Sequence, residues 1–168
     1  MEAEMKNEAH ECLTFNSPLE AGIRSVGLLV ASYPKCFDLQ QLVVFDYLVV
    51  HTGDINGPES LHPQIPLRST ELLVRRKLVE NGLLLMMSRK LVVRQACSEG
   101  ILYQAGEMAE TFMLCLTSPY LLELKKRSIW VINHFGYMNY DHLKKIIREF
   151  FNHWVEEFQD VQQSLEVK

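Results

Sequence analysis

Two groups of acidic and histidine side chains have types and spacings that chemistry could use. The first lies in or beside the Gly- and Pro-rich segment 52–68 and comprises His51, Asp54, Glu59 and His62. Imidazole and carboxylate groups bind metal ions, and an enzyme of this kind would need a pocket around His51, Asp54 and His62. The four residues share no helical spacing and no recurrent ligand motif. We therefore expect no metal, and we interpret the segment as a structured loop that packs on the domain or on a partner.

Paired carboxylates form the second group, which consists of Glu107 with Glu110 and Glu156 with Glu157. Such pairs can act as general acid and general base. Here their spacing is typical of solvated helix faces. The sequence also contains no GxSxG, GxxxxGKS/T, GxGxxG, HExxH or CxxC motif. We therefore predict no catalytic residues and no cofactor, and we expect a protein that is not an enzyme.

The composition is that of an ordinary globular chain. Of the 168 residues, 48% are hydrophobic and 23% are charged, which is enough apolar material for a sizeable core. The net charge of −4 argues against a general nucleic-acid coat but is compatible with a local basic face. The four cysteines show no metal-ligand spacing, so we expect free thiols in a reducing compartment. The first residues lack the features of a signal peptide, and no apolar run approaches the roughly 18 residues of a membrane span, so we predict a cytoplasmic protein.

Three segments organise the chain. We predict a polar N-terminal segment over residues 1–16, a core over 17–105 that contains the long loop 52–68, and a C-terminal helical extension over 106–168. The loop is long for a compact domain, which favours a functional or packing role.

Two helices are predicted in the first half of the core. The first begins at the capping box Ser17-Pro18-Leu19-Glu20 and ends at Tyr33-Pro34, with a predicted buried stripe of Leu19, Ile23, Val26 and Val30. The second begins at Asp38 and continues through the apolar run 39–51, although its valines would also suit a strand. Asp46 lies inside this run. Because a buried carboxylate needs a partner, we interpret Asp46 as hydrogen-bonded to a neighbouring basic or backbone group in preference to a functional acid.

The stretch Ser69–Ala105 combines a long helix with a hairpin. The helix is expected to kink or break at Asn81-Gly82. Strands 91–97 and 101–104 follow, joined by a three-residue turn at 98–100. A helix followed by a β-hairpin is the second half of a winged helix-turn-helix. We therefore predict a mainly α fold with a small β-hairpin, in which a winged helix-turn-helix core is followed by C-terminal helices.

The C-terminal extension contains three predicted helices. The first covers about 106–116, the second begins at Ser118-Pro119 and runs to about Phe135, and the last begins at Asn139 or Asp141. The apolar stripe of the last helix is wider than a helix on one domain surface usually needs. The stripe favours the chain's own core, but a partner groove or a homodimer contact would use the same residues. The predicted partner-binding residues are Leu143, Ile147, Phe150, Trp154 and Phe158.

Basic residues cluster in the helix-and-hairpin region. Six of them are our candidate nucleic-acid contacts, namely Arg75, Arg76, Lys77, Arg89, Lys90 and Arg94. Such a cluster favours phosphate contact. Three observations weigh against sequence reading: residues 75–77 fan around the helix, Arg75 and Arg76 have acidic residues four positions away at Glu71 and Glu80, and Glu99 occupies the hairpin turn. We therefore expect any DNA contact to be made through phosphates within a larger complex.

Four segments, in this order, resemble a known family: FNSPLEAGIRSVGLLVASYPKCFDLQQLVVFDYLVVHTGD, SLHPQIPLRSTELLVRRKL, GLLLMMSRKLVVRQ and LTSPY. Over about residues 13–135 they are similar to the middle component of bacterial three-component ABC-ATPase conflict systems, which are related to Lamassu-type anti-phage and anti-plasmid defence. The resemblance implies a non-catalytic subunit with a winged-helix core and no catalytic residues to carry over. It implies two partners, an SMC-like ABC ATPase and an effector nuclease that the subunit helps to restrain or position, and no membrane.

Two functions from different classes follow from these observations. The first is an accessory or bridging subunit of a defence complex, supported by the resemblance and by the absence of catalytic motifs. The alternative is a winged-helix DNA-binding transcriptional regulator. Its affinity for duplex DNA would fall steeply with salt, and substitution of Arg75, Arg76 and Arg94 would weaken binding.

Overall fold

The computed structural model describes the backbone of residues 17–63 and 69–151 and the side chains of 17–63 and 74–146. Several predictions fall outside these residues. They concern the polar segment 1–16, the second part of the loop at 64–68, and two of the partner-binding residues, Trp154 and Phe158. Two further partner-binding residues, Ile147 and Phe150, are described in their backbone alone.

The described chain is mainly helical, with one two-stranded antiparallel hairpin. This confirms the predicted class. The elements are α1 Pro18–Ser32, α2 Leu39–Val50, α3 Ser69–Ser88, β1 Val92–Cys97, β2 Gly100–Ala105, α4 Ala109–Cys115, α5 Pro119–Val131 and α6 Tyr140–Phe151, with a 3-10 helix at Thr52–Ile55 and a π-helix at Ile132–Gly136. In the described parts of the chain, no helix is both long enough and apolar enough to cross a membrane.

The helix starts follow the local sequence signals. Ser17 and Glu20 form the predicted capping box of α1, and Asp38 and Gln41 form an equivalent one at α2. The Ser118 hydroxyl accepts the backbone N–H of Leu121 at the start of α5. Because such caps satisfy orphan N–H groups locally, they could be predicted without knowledge of the tertiary packing.

The predicted buried stripe of α1 is partly wrong. Val26 is fully buried, but Leu19 is 53% exposed. The buried surface of α1 instead extends around the helix to Ser25, Leu28 and Leu29. The reason is that α1 packs against several elements at once, chiefly α3 and α5, so its buried face is wider than one stripe.

Two glycines allow α1 and α3 to cross closely. A Cβ atom added to Gly82 would lie 2.6 Å from the backbone nitrogen of Gly22, and one added to Gly22 would lie 2.9 Å from the carbonyl oxygen of Gly82. The alternative of a break at Asn81-Gly82 is wrong, because α3 is one uninterrupted helix from Ser69 to Ser88. Gly82 is needed for the close approach of the two backbones.

The hairpin follows directly from the end of α3. Lys90 has a positive φ of 59°, and the N–H of Leu91 donates to the carbonyl of Met86 at 2.9 Å, which closes the last turn of the helix. In the register of the hairpin, Cys97 lies opposite Gly100. The connecting loop therefore has two residues, one fewer than predicted, and Gly100 takes a φ of 123° that favours glycine.

A single residue between α1 and α2 extends the sheet. Phe37 forms an antiparallel bridge with Tyr103 of β2, with N–H to carbonyl distances of 3.0 and 2.8 Å. The Phe37 ring also packs edge-on against Phe45 of α2, with the ring centroids 5.0 Å apart. The outer edge of β2 is thus tied to the helical core.

One hydrophobic core joins the two segments on either side of the predicted boundary at 105/106. Leu42, Phe45 and Leu48 of α2 lie at its centre, fully buried. Val131 and Ile132, from α5 and the turn after it, belong to the same core. In the described residues, the helices after the hairpin therefore pack on the core and complete it.

Candidate functional site

A buried carboxylate at the middle of α2 binds two arginines from other helices. Asp46 is fully buried. Its Oδ1 accepts from Arg24 Nε at 2.6 Å and its Oδ2 from Arg24 Nη2 at 3.2 Å. Arg75 Nη1 of α3 donates to Oδ2 at 2.5 Å. We call these three residues the Asp46 cluster, and they confirm the interpretation of Asp46 as a carboxylate held by basic neighbours.

The negative charge of Asp46 and the positive charges of the two arginines stabilise one another. Burial acts to raise the pKa of Asp46, but the charges of Arg24 and then Arg75 outweigh it and lower that pKa below its usual range. Asp46 is therefore ionised at neutral pH. The guanidinium of Arg75 also lies over the Tyr47 ring, 5.3 Å from its centroid, which adds a cation–π contact. The cluster joins α1, α2 and α3 and is structural in character.

Two buried histidines lie next to the cluster. His51 is 1% exposed and stacks on Tyr47 at a centroid distance of 4.5 Å, and its ring nitrogens find no hydrogen-bond partner among the described residues. His62 Nε2 lies 2.8 Å from the Tyr120 hydroxyl of α5. Burial lowers the pKa of each histidine to about 4. Both rings are therefore neutral at neutral pH.

His51 and His62 lie close together, and the side chains around them pack against one another and form hydrogen bonds. The two ring centroids are 6.3 Å apart, and Asp54 accepts a hydrogen bond from the Tyr47 hydroxyl at 3.2 Å. Within the parts of the chain that the structure describes, no group of three or more His, Cys, Asp or Glu side chains is placed to hold a metal ion.

The described part of the loop, residues 52–63, packs on the domain as predicted. Thr52 Oγ1 donates to the Pro58 carbonyl at 2.7 Å, and the Leu61 N–H donates to Val50 at 3.0 Å. Arg127 of α5 donates through Nε to the Glu59 carbonyl at 3.1 Å. These bonds tie the loop to itself, to α2 and to α5.

The structure places the six predicted nucleic-acid contacts in different environments on α3, on the turn that follows it and on β1. Arg75 must be corrected, because its guanidinium points inward and is bound to Asp46. Lys77 is 71% exposed and pairs with Glu80 at 3.6 Å. Arg89 and Lys90 are exposed on the turn between α3 and β1. Successive residues of a helix point about 100° apart, as predicted for residues 75–77, so neighbouring side chains lie in different environments.

Arg76 of α3 and Arg94 of β1 both lie near Tyr103 of β2, in the region where α3 leads into the hairpin. Arg94 of β1 lies directly opposite Tyr103 of β2, so the two side chains share one face of the hairpin. Burial raises the pKa of the Tyr103 hydroxyl, and Arg94, Glu80 and Arg76 are all close enough to influence it electrostatically. The hydroxyl therefore stays protonated. We call Arg76, Arg94 and Tyr103 the Arg76 notch.

The predicted pairing of Arg76 with Glu80 is wrong. In the described residues no ion pair within 4.0 Å joins these two side chains, and Glu80 pairs with Lys77 instead. The Nη1 atom of Arg76 is buried and has no hydrogen-bond partner. Arg76 therefore carries a positive charge and one buried donor without an acceptor in the described structure, which is an arrangement that proteins usually avoid.

Leu143 of α6 must also be corrected as a partner-binding residue. It is 1% exposed and belongs to the chain's own hydrophobic core. Its burial leaves no surface for a partner, because the first turns of α6 pack back on the domain. This agrees with the core alternative that the apolar stripe left open.

A surface groove lies on the other side of the hairpin. Its volume is about 540 Å³, and it runs between the end of α1, the base of the hairpin and the start of α4. Apolar and acidic side chains both line it, including Val30, Tyr33, Val93, Glu107 and Glu110. We call this the Val93 groove. Glu107 and Glu110 are exposed at its rim, as expected for solvated carboxylates.

Sequence reasoning missed Arg24 and Tyr120. Arg24 is fully buried in α1, and Tyr120 of α5 meets His62 near it. A signal was present in each case. Arg24 is the one basic residue of α1 and Asp46 is the one acidic residue of α2, and two opposite charges in largely apolar helices are candidates for pairing. The two had to be considered together to predict the contact.

Comparisons with known proteins give one match. The family model described as ABC-three component (ABC-3C) system Middle Component 2 matches residues 14–157. Comparisons with curated proteins and with solved structures found no match.

Proposed function

Since the chain belongs to the Middle Component 2 family of ABC-three component systems, we propose that it is a non-catalytic accessory subunit of a conflict or defence complex. The single observation that carries this proposal is the family match over residues 14–157. The Asp46 cluster supports it, because these three buried charged groups are paired with one another and lie in the interior, where they hold helices together.

The finer proposal is that the chain docks on an SMC-like ABC ATPase and helps to restrain or position an effector nuclease. The family name supplies the ABC system, and the Lamassu-like assignment comes from the sequence resemblance. Exposed apolar side chains support protein docking. The Val93 groove combines the apolar side chains of Val30 and Val93 with the carboxylates of Glu107 and Glu110, which suits an apolar partner segment flanked by Lys or Arg.

The order of elements supports a winged helix-turn-helix arrangement within this subunit. A helix, an isolated bridge residue, two helices and a hairpin follow one another from Pro18 to Ala105, with Phe37 as the bridge residue. This is the order of a winged helix whose first strand is reduced to one residue. We propose that the fold serves here mainly as a docking module.

The exposed face of α3 favours docking over the reading of DNA bases. Val74 and Leu84 are exposed on this helix together with Lys77. Base edges are read mainly by amide and guanidinium groups, and aliphatic side chains supply little discrimination there. A sequence-specific transcriptional regulator therefore remains the second candidate, supported by the order of elements alone.

Co-expression tests the accessory function. The tagged full chain is expressed with the ATPase and the effector encoded beside it, and the eluate is separated by size exclusion and analysed by native mass spectrometry. We expect a stable complex that contains the chain and the ATPase. Elution of the folded chain alone, while the ATPase is also folded, would overturn the proposal.

A matched pair of variants tests the docking surface. Val93→Asp places a charge in the Val93 groove, and Leu122→Asp places one on α5 at nearly equal exposure, since the two side chains are 44% and 43% exposed. We expect Val93→Asp to reduce recovery of the complex and Leu122→Asp to leave it unchanged. Equal recovery with both variants would remove the groove from the interface.

A further inference from the structure

We propose that the Arg76 notch binds the sugar-phosphate backbone of duplex DNA, with Arg76 and Arg94 as its two cationic contacts. The inference goes beyond the accessory function, because it concerns the isolated full chain and does not depend on any protein partner. It also assigns the contact to two of the six basic residues in the region.

The Arg76 side chain has a positive charge and a hydrogen-bond donor that the described chain does not use. Its Nη1 atom is buried and has no acceptor in the described structure, and no described carboxylate lies within ion-pair distance of its guanidinium. A buried guanidinium donor without an acceptor is unfavourable. A phosphate group beside the guanidinium would supply the negative charge, and it would supply the acceptor for Nη1 when the Arg76 side chain turns outward.

Donors on two elements lie near one another. Arg94 and Tyr103 are opposite one another on one face of the hairpin, and Tyr103 is buried while Arg94 is exposed. Arg76 lies on α3, close enough to influence the Tyr103 hydroxyl electrostatically. Two guanidinium groups and one phenolic hydroxyl can all donate to the non-bridging oxygens of one phosphate group.

The basic residues around Arg76 and Arg94 favour a polyanion over a single small anion. Lys77, Arg89 and Lys90 are exposed on α3 and on the turn that leads into β1. They add positive charge on the same helix-and-hairpin unit as the notch. A ligand with regularly repeated negative charges can use several of these groups at once, whereas a free phosphate can use one site.

The same surface argues against base reading. Glu99 lies at the tip of the hairpin, where it would repel phosphates, so the proposed contact is confined to the hairpin base. The exposed neighbours on α3 include the aliphatic Val74 and Leu84. The proposed binding is therefore independent of sequence and is made through phosphates.

Fluorescence anisotropy with the full chain and a labelled duplex of about 30 base pairs tests this inference across a salt series from about 50 to 200 mM. We expect Arg76→Gln and Arg94→Gln each to weaken binding roughly five- to tenfold at low salt, and each to reduce the slope of log K against log salt by about one. The charge-matched control is Lys145→Gln, an exposed residue of α6 that lies outside the notch, and it should bind like the wild-type chain.

Two further measurements, of variant folding and of binding to another polyanion, complete the test. Circular dichroism establishes that each variant is folded, and Arg94→Gln carries the test if Arg76→Gln is not, because Arg94 is exposed. Equal losses in Arg76→Gln, Arg94→Gln and Lys145→Gln, or no loss in either notch variant, would overturn the proposal. Arg76-dependent binding of poly-glutamate that is as tight as duplex binding would also overturn it, in favour of an acidic protein partner.

Discussion

Two adjacent arginines of α3 carry the same charge in different environments. Arg75 is bound to a fully buried carboxylate that Arg24 also contacts. Arg76, the next residue, has a buried nitrogen without an acceptor and lies beside the hairpin. The two residues are adjacent in sequence and identical in type. Their difference comes from the roughly 100° rotation between successive residues of a helix.

The comparison shows what distinguishes a structural charge from a binding charge. In the Asp46 cluster, the cost of removing three ions from water is offset within the chain, and the cluster joins three helices. In the Arg76 notch the compensating anion is absent from the described chain. A compensated buried charge contributes to the fold, whereas an uncompensated charge at the surface of the core is available to a ligand.

The largest expected effect comes from removing the shared carboxylate. Asp46→Asn keeps the shape of the side chain but leaves Arg24 and Arg75 buried without a counter-charge. We expect a loss of about 3–5 kcal/mol in the free energy of unfolding, measured by urea denaturation. Glu123→Gln serves as control, since it breaks exposed ion pairs with Lys126 and Arg127 and should change stability far less. Equal effects of the two substitutions would contradict a structural role for the Asp46 cluster.

The second largest expected effect is a loss of stability at acidic pH. Unfolded histidines take up protons below a pH of about 6.5, whereas burial lowers the pKa of His51 and His62 to about 4 in the folded chain. Stability from these groups is therefore fully present above pH 6.5 and is lost as the pH falls toward 4. Thermal unfolding at pH 7, 5 and 4 should show a decline on the order of a few kcal/mol.

The variant His51→Phe sharpens the pH test. It preserves an aromatic ring against Tyr47 and removes one of the two titrating groups. We expect a shallower decline of stability between pH 6.5 and 4 than in the wild-type chain. An equally steep decline would mean that His51 is not responsible for the acid sensitivity.

The smallest expected effect concerns the acid beside the notch. Glu80 pairs with Lys77 and lies within electrostatic range of the Tyr103 hydroxyl. Glu80→Gln removes a negative charge that would repel phosphate and leaves Lys77 without its partner. We expect affinity for the duplex to rise roughly two- to threefold at low salt, as measured by anisotropy. Unchanged or weaker binding would place the DNA contact away from the notch.

Local features of this chain could be predicted from the sequence, but which side of each helix is buried could not. The caps at Ser17, Asp38 and Ser118 depend on residues close in sequence, so their prediction was confirmed. The need of Asp46 for a partner was equally clear. The identity of that partner was not, because Arg24 and Arg75 reach it from other helices and no local pattern specifies how those helices cross.

The two wrong predictions on α3 both concern contacts with residues that are far away in the sequence. Gly82 was interpreted as a breaker because its backbone freedom was considered without the neighbouring Gly22. Arg75 was grouped with Arg76 and Lys77 because the three basic residues are consecutive, and the sequence does not show that Asp46 of α2 lies beside Arg75. Charge clustering in sequence therefore identified the correct region but could not separate the buried arginine from the one in the notch.

The central claim, that neighbouring arginines hold the fold and contact DNA respectively, is tested most directly by measuring Arg75→Gln and Arg76→Gln side by side. Each variant is examined by urea denaturation and by duplex anisotropy under conditions in which it is folded. We expect Arg75→Gln to lose about 2–3 kcal/mol of stability while its folded form binds DNA like the wild-type chain. Arg76→Gln should stay within about 0.5 kcal/mol of wild-type stability and bind roughly five- to tenfold more weakly. Equal destabilisation by both substitutions, together with unchanged DNA binding in Arg76→Gln, would contradict the account.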